Sequence, residues 1–209
     1  MPDVTMTQRF SHLTPRYIVN RIQLLIHERT HPDSPWLSQA MIEILGSWLQ
    51  PQHQGLEWGS GRSTLWFAQR VNHLISIEHD ESWYRSIDSQ LKKTKLGNVD
   101  YRLCRNPREY VSCSEQLPRE HFDFVLIDGI ARARCALAAI PILKVGGILI
   151  IDNCNWYLPN DSRAPDSRRA GQGAASDDWE LFLQRVCTWR RIWTTNGVTD
   201  TALWVKSAE

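Results

Sequence analysis

Short, almost wholly apolar runs alternate along this chain with segments in which apolar residues recur at helical spacing. The runs predict strands at Gly55–Trp58, Leu74–Glu78, Val99–Leu103, Phe122–Asp128 and Gly147–Asp152. The intervening segments predict helices at Ser63–Val71, Glu81–Lys92 and Ala131–Leu143. Strands without a polar face must be covered on both sides, and alternation with helices produces parallel crossovers. The pattern therefore predicts an α/β fold with a doubly wound, mostly parallel sheet.

Both ends of the chain depart from this alternation. Residues 1–34 are predicted to be an N-terminal extension with a short helix around Tyr17–His27, and a single domain is predicted for residues 35–209. Residues 155–176 are rich in Pro, Asp, Ser, Arg and Gly, which predicts a long, mobile loop. The closing runs RRIWTT and TALWVKS flank an Asn-Gly turn. They predict an antiparallel hairpin that completes a seven-stranded sheet.

Composition narrows the range of partners. The 209 residues include 24 basic and 23 acidic side chains, a formal charge of +1, so no nucleic-acid partner is expected. The five cysteines lack short paired spacings, which favours a reducing, cytoplasmic location. The first residues do not resemble a secretory signal, and no apolar run approaches the ~20 residues that span a bilayer, so no membrane partner is expected. Homo-oligomerisation is left open.

A glycine-containing turn follows the first predicted strand, in the segment LEWGSGRST from Leu56 to Thr64. Gly59 and Gly61 allow a tight turn and a close approach of the backbone to a ligand, and the next helix begins there with free N–H groups. The following strand ends at Glu78, whose carboxylate could accept both hydroxyls of a ribose. This layout suits either a dinucleotide or another adenosine-containing ligand.

Two residues favour one of these classes. A dinucleotide fingerprint requires a third glycine, but Thr64 stands at that position. Glu57 lies two residues before the first glycine, where it would repel a pyrophosphate and attract a cationic amino group. S-adenosylmethionine carries such a group.

The motifs LEWGSGRSTLWFA, SIEHDESWY, FDFVLIDG and LKVGGILIIDN resemble those of class I S-adenosylmethionine-dependent methyltransferases. The resemblance covers Pro35 to Lys206 and implies the Rossmann-like fold of that family, with an antiparallel strand at its end. It implies that the methionine moiety lies along the glycine segment, the ribose on Glu78 and the adenine against His79. The implied cofactor-binding residues are Glu57, Gly59, Ser60, Gly61, Ser63, Thr64, Glu78, His79 and Asp128.

A metal site is a further possibility at the ends of the fourth and fifth strands. Asp128, Asp152 and Asn153 are oxygen donors of the kind that Mg²⁺ prefers, and the set resembles the metal ligands of catechol O-methyltransferase-like enzymes. The chain departs from that family in two positions: Gly129 directly follows Asp128, and Ala131 stands where those enzymes have a lysine. In the alternative interpretation, Asp128 faces the cofactor or acceptor without a metal, and the other two residues stabilise a turn.

The acceptor is predicted to bind near the long loop. Trp156 could stack on a planar molecule. Arginines near the loop could bind an anion, or could be solvated surface charges: Arg132, Arg134, Arg163, Arg168 and Arg169. The leading hypothesis is a methyltransferase that modifies an oxygen of a small molecule, with Asp128 as the catalytic residue and Mg²⁺ optional. The alternatives are a non-catalytic S-adenosylmethionine-binding module and a nicotinamide-dependent oxidoreductase.

Overall fold

The protein is described by a computed structural model from residue 14 to residue 208. The strands are β1 (Gln54–Trp58), β2 (His73–Glu78), β3 (Val99–Leu103), β4 (Phe122–Ile127), β5 (Leu143–Asp152), β6 (Arg190–Thr195) and β7 (Asp200–Val205). The helices are α1 (Pro15–Thr30), α2 (Gln39–Trp48), α3 (Arg62–Ala68), α4 (Glu81–Thr94), α5 (Pro107–Ser112), α6 (Arg132–Ala139) and α7 (Asp177–Arg185).

All seven strands form one sheet in the order β3-β2-β1-β4-β5-β7-β6. The first five are parallel to one another, whereas β7 pairs antiparallel with both β5 and β6. The predicted fold class, including the terminal hairpin, is confirmed. The strand order reverses between β1 and β4, so ligands are expected at the carboxyl ends of these central strands.

Both faces of the sheet are covered, which explains the unbroken apolar runs. Along β4, Phe124 and Leu126 belong to one buried cluster, while Val125 and Ile127 belong to the other. Successive side chains of a strand point to opposite faces. When both faces are covered, apolar residues are favoured at every position, and the strand shows no alternation of polar and apolar residues. One cluster includes Trp179 and the helices α6 and α7, and the other includes the side chains of α2 and α3.

Several boundaries differ from the prediction. Helix α6 ends at Ala139, earlier than predicted, because Pro141 cannot continue a helix. Strand β5 begins at Leu143, before the predicted Gly147, because Leu143 pairs with Phe122 ahead of an irregularity in the register. Helix α5 is missing from the prediction. It is only 6 residues long, and its signal is the pair Asn106-Pro107, in which the Asn106 side chain caps the helix.

Helix α1 extends the predicted N-terminal helix at both ends, and none of its 16 residues is buried. Near one end, Asn20 lies so close to Gly197 that a Cβ there would meet the Asn20 amide at 1.9 Å. Near the other end, Nη1 of Arg62 donates to the main-chain oxygen of Glu28 at 3.2 Å. The helix therefore extends from the β6–β7 turn to the start of α3. Residues 1–13 of the predicted extension lie outside the described residues, so its boundary stays a prediction.

No helix in the described part of the chain has the length and apolar character needed to cross a membrane.

Candidate functional site

A cleft of about 380 Å³ lies at the carboxyl ends of β1, β2 and β4. It is lined by Gly59, Ser60, Glu78, His79, Asp80, Ser82, Trp83, Asp128 and Gly129. We call it the glycine-loop cleft, after residues 59–61. Five residues predicted from the sequence to bind the cofactor line this cleft: Gly59, Ser60, Glu78, His79 and Asp128. The other predicted residues, Glu57, Gly61, Ser63 and Thr64, adjoin the loop and are not among the lining residues.

The two glycines of the loop have different reasons to be glycine. Gly59 has a φ of +96°, and a Cβ there would lie 2.5 Å from the backbone nitrogen of Gly129. Gly59 is therefore required by the fold itself, because the turns after β1 and β4 approach closely. Gly61 has extended backbone with a φ of 174°, and no atom of the described residues, apart from its chain neighbours, lies within 4 Å of its missing Cβ. None of residues 14–208 fills the space beside Gly61, which fits a ligand passing over the backbone there.

Glu57 is fully buried beneath the loop, and only one of its carboxylate oxygens is satisfied. The hydroxyls of Ser63 and Thr64 donate to Oε1 at 2.9 and 3.0 Å, whereas Oε2 has no partner within the described structure. Burial raises the pKa of Glu57 to about 8, because the charged form loses its hydration. A buried, unpaired carboxylate oxygen fits a ligand that brings a cationic donor, as the ammonium of S-adenosylmethionine does.

Thr64 also fixes the loop, since its hydroxyl accepts from the backbone nitrogen of Gly61 at 3.0 Å. The hydroxyls of Ser63 and Thr64 are thus engaged with Glu57 and the loop. Each hydroxyl uses its single proton on Glu57, so these groups position the carboxylate and could contact a ligand only as hydrogen-bond acceptors. The residue that replaces the third glycine of a dinucleotide fingerprint is therefore buried and structurally occupied.

Glu78 is held rigidly at the end of β2. Its Oε1 accepts from the backbone nitrogens of His79 and Asp80 at 2.7 and 2.9 Å. Its Oε2 accepts from the nitrogen and the hydroxyl of Ser60 at 3.0 and 2.8 Å. A carboxylate has about four acceptor positions, and all are used here. A sugar hydroxyl could bind only by displacing the Ser60 hydroxyl, which has the Tyr101 hydroxyl at 2.6 Å as an alternative partner.

His79 and Trp83 form the side of the cleft beyond Glu78. The His79 ring lies edge-on to Tyr110, with 5.8 Å between ring centroids. The indole nitrogen of Trp83 donates to the main-chain oxygen of Ser60 at 2.7 Å, which ties α4 to the glycine loop. Trp83 was not among the predicted site residues, yet it lines the cleft. The sequence signal for this location is that Trp83 lies in the first turn of α4, which begins shortly after Glu78.

Tyr110 is a buried neighbour of this side that sequence analysis missed. Its hydroxyl has no hydrogen-bond partner among the described residues, and it lies directly beneath Gly129. Burial raises the pKa of Tyr110. A side chain at position 129 would collide with this hydroxyl, which explains why glycine follows Asp128 here.

Two of the three residues predicted to bind Mg²⁺, Asp128 and Asn153, have their side chains joined by a protein cation, Arg132. Arg132 donates from Nη2 to Oδ1 of Asp128 at 2.9 Å and from Nη1 to Oδ1 of Asn153 at 3.0 Å. Its other bonds go to main-chain oxygens of Asp128, Gly129 and Asp152. All five guanidinium N–H groups are therefore used.

Asp152 is turned away from the cleft. Its Oδ1 accepts from the hydroxyl of Thr201 on β7 at 2.6 Å, and the residue is buried. Burial and the neighbouring Asp128 raise the pKa of Asp152, so its charged form is disfavoured. In the described part of the chain, no group of three or more His, Cys, Asp or Glu residues could hold a metal ion. The geometry does not fit the Mg²⁺ site that the sequence suggested, because Arg132 already binds the side-chain oxygens of Asp128 and Asn153, and the Asp152 carboxylate is bonded to Thr201.

Asp128 keeps one oxygen available at the end of the cleft. Its Oδ2 has no hydrogen bond to any described residue, while Oδ1 is bonded to Arg132. Burial raises the pKa of Asp128, and Arg132 opposes this shift. The result is a partly buried carboxylate that can exchange a proton near neutral pH.

The family comparison gives a match for residues 56–154, to a model described as a methyltransferase domain. A comparison with curated proteins finds no match. The matched segment contains the glycine loop, Glu78, Asp128 and Asp152.

Solved structures share the fold at low sequence identity. A SAM-dependent methyltransferase from Aquifex aeolicus is 14% identical, with a TM-score of 0.52 over 84% of this chain and 94% of that chain. A Streptococcus mutans protein in complex with SAH is 10% identical, with a TM-score of 0.53 over 78% of this chain and 93% of that chain. An rRNA methylase from Streptococcus thermophilus is 12% identical, with a TM-score of 0.50 over 79% and 93%. These likenesses establish the fold and leave the acceptor undecided.

Proposed function

We propose that this chain, which is a class I S-adenosylmethionine-dependent methyltransferase, transfers the methyl group to an oxygen of a small molecule. The observation that carries the proposal is Asp128, a carboxylate with a raised pKa and a free oxygen at the end of the glycine-loop cleft. Such a group is suited to remove a proton from an acceptor hydroxyl.

The donor is proposed to lie along the cleft from Glu78 to Asp128. Glu78 and His79 would bind the adenosine part, as the resemblance implies, and the backbone of Gly59, Ser60 and Gly61 would pass beneath the methionine part. Glu57 Oε2 would accept from its ammonium group. Ser63 and Thr64 would contribute by holding Glu57 in place.

The chemistry requires little covalent participation by the protein. The acceptor hydroxyl would give its proton to Asp128, and its oxygen would attack the methyl carbon in line with the sulfur. The carbon–sulfur bond breaks, and its electron pair stays on the leaving thioether. The enzyme supplies orientation, exclusion of water and the base. Because Arg132 fills the oxygen cluster, no step needs a divalent cation.

The test is transfer of a labelled methyl group to a mixed panel of hydroxylated, amino and thiol small molecules, with total RNA as a separate arm. We expect label in a hydroxylated small molecule. Asp128→Asn should lower kcat by about 10²-fold or more, because an amide cannot accept the proton. The matched control is Asp178→Asn, which changes an exposed aspartate paired with Arg134.

Each outcome separates the alternatives. Full kcat in Asp128→Asn would remove the base assignment, and label in RNA alone would contradict a small-molecule acceptor. Binding of the donor without transfer to any acceptor would support the non-catalytic module. The cytoplasmic location stays a prediction.

A further inference from the structure

A second, larger cavity of about 1250 Å³ lies between α1, the loop of residues 155–176 and the β6–β7 turn. Its charged lining consists of Arg16, Arg163, Arg168, Arg169, Asp161 and Asp166. We call it the arginine cavity. The whole chain has a formal charge of only +1, whereas these residues alone give an excess of two positive charges. None of the ion pairs found in residues 14–208 involves any of the six.

The arginine cavity lies on the same edge of the sheet as the glycine-loop cleft. Asp128 follows β4, and the cavity residue Trp156 lies shortly after the end of β5. The strands β4 and β5 are paired neighbours, and paired strands lie about 5 Å apart. Asn153 connects the two sites: it accepts from Arg132, which holds Asp128, and donates to Thr199 at 2.7 Å. The nitrogen of Thr199 donates to the side chain of Asn196, a residue of the cavity wall.

The loop that forms one wall is fixed by hydrogen bonds, in contrast to the mobile lid that its composition predicts. Asn155 is fully buried and donates to the Pro165 oxygen and the Ser167 hydroxyl, both at 3.1 Å. Its main-chain oxygen accepts from the nitrogen of Arg168 at 2.9 Å. The wall is thus organised before any ligand binds, which reduces the entropy lost on binding.

Arg168 is the best placed of the arginines that the sequence suggested. Its Nε and Nη2 donate to the main-chain oxygens of Gly173 and Gln172 at 2.9 and 3.0 Å. Its Nη1 has no hydrogen bond to any described residue. The two N–H groups of Nη1 are therefore available to a ligand, while the bonds of Nε and Nη2 fix the orientation of the guanidinium. By contrast, Arg132 is saturated, and Arg134 pairs with Asp178 outside the cavity.

Trp156 adds a flat apolar surface to the same cavity. Its side chain is 42% exposed, although it lies between buried residues of the short helix Cys154–Trp156 and the loop. An exposed indole beside guanidinium donors is suited to a molecule that is planar at one point and anionic at another.

We propose that the arginine cavity binds the planar part and the carboxylate or phosphate of a small methyl acceptor, whose hydroxyl extends to Asp128 in the separate glycine-loop cleft. The proposal rests on the proposed function, since it assigns the acceptor of the same reaction. Arg168 binds the anion, Arg163 and Arg16 add positive potential, and Trp156 stacks on the planar group.

The test uses protein saturated with S-adenosylhomocysteine and three probes titrated by calorimetry: benzoate, phenyl phosphate and the neutral isostere benzamide. At least one anion should bind about tenfold more tightly than benzamide, as expected for a charge-assisted hydrogen bond. Arg168→Ala should remove this preference. The matched control Arg134→Ala should preserve it, because Arg134 lies outside the cavity.

A second variant is needed because Arg168→Ala also removes hydrogen bonds that hold the loop. Arg163 has no hydrogen bond to a described residue, so Arg163→Ala should leave the fold intact and weaken anion binding severalfold. Preference for benzoate would indicate a carboxylate, and preference for phenyl phosphate a phosphate. Equal binding of all three probes, or an unchanged preference in both variants, would overturn the inference. If S-adenosylhomocysteine itself fails to bind, the proposed function fails instead.

Discussion

Gly59 and Gly61 lie two residues apart, yet only Gly59 is required by the protein's own packing. Gly59 combines a positive φ with a close approach to Gly129, whereas Gly61 has an ordinary extended conformation and free space beside it. This difference makes the pair a test of ligand binding that is independent of folding.

Gly61→Ala should fold with an unchanged melting temperature and bind S-adenosylmethionine at least tenfold more weakly, because the methyl group enters space proposed for the donor. Gly59→Ala should lower the free energy of unfolding by at least about 1 kcal/mol, from left-handed strain alone. Thermal unfolding and calorimetric titration of both variants check this. Full affinity in Gly61→Ala would place the donor elsewhere.

Glu57 should make the ligand-free protein less stable as the pH rises. Its pKa is about 8 in the folded chain against 4.5 as the ordinary value, so between these values the unfolded chain is ionised while the folded chain retains its proton. The free energy of unfolding therefore falls across this window, and below pH 4.5 the penalty is absent. Glu57→Gln lacks this titration but can still accept from Ser63 and Thr64.

The measurement is the melting temperature of both proteins from pH 5 to pH 9, without ligand. The advantage of Glu57→Gln over the parent should grow up to about pH 8 and then level off. A constant difference across this range would show that Glu57 is ionised in the folded protein.

At the scale of elements, Arg132 at the start of α6 connects the turn after β4 to the turn after β5. Arg132→Ala should lower the free energy of unfolding by about 3 kcal/mol, because partly buried oxygens of Asp128 and Asn153 lose a largely buried cationic partner. Arg134→Ala, two residues further along the same helix, removes an exposed pair and should cost under about 1 kcal/mol. Urea unfolding measures both.

The same pair of variants tests the metal question by calorimetry. The parent should give no heat with Mg²⁺, and its activity should be unchanged in excess EDTA. Arg132→Ala exposes the oxygen cluster and is the variant in which Mg²⁺ binding could be gained. Loss of parental activity in EDTA would contradict the role assigned to Arg132.

Elements with a strong local signal could be predicted from the sequence. Strand β4 is apolar on both faces, which identifies it as a covered strand of the sheet. Glu57 and Glu78 lie near the carboxyl ends of β1 and β2, so the parallel topology predicted that both lie at the same edge of the sheet. The role of Arg132 could not be predicted, because three of its five partners are main-chain oxygens from two separate turns. The order of the loop likewise depends on the buried Asn155, whose partners lie 10 and 12 residues away.

For the whole molecule, the sheet places the proposed donor cleft and the proposed acceptor cavity along the same edge, and α1 lines the cavity. The arginine cavity has an excess of two positive charges, in a chain whose formal charge is only +1. This asymmetry could not be predicted from composition, since the arginines come from α1 and from the loop. It follows from the way the chain brings these two segments together.

The central claim is that the glycine-loop cleft binds S-adenosylmethionine, and calorimetric titration with S-adenosylhomocysteine tests it most directly. The parent should bind one equivalent and give no heat with NAD⁺. Glu78→Gln should bind about tenfold more weakly, since a charge-assisted acceptor is lost. Glu81→Gln, an exposed neighbour on α4, should bind as the parent does. Heat with NAD⁺ and none with S-adenosylhomocysteine would contradict the account.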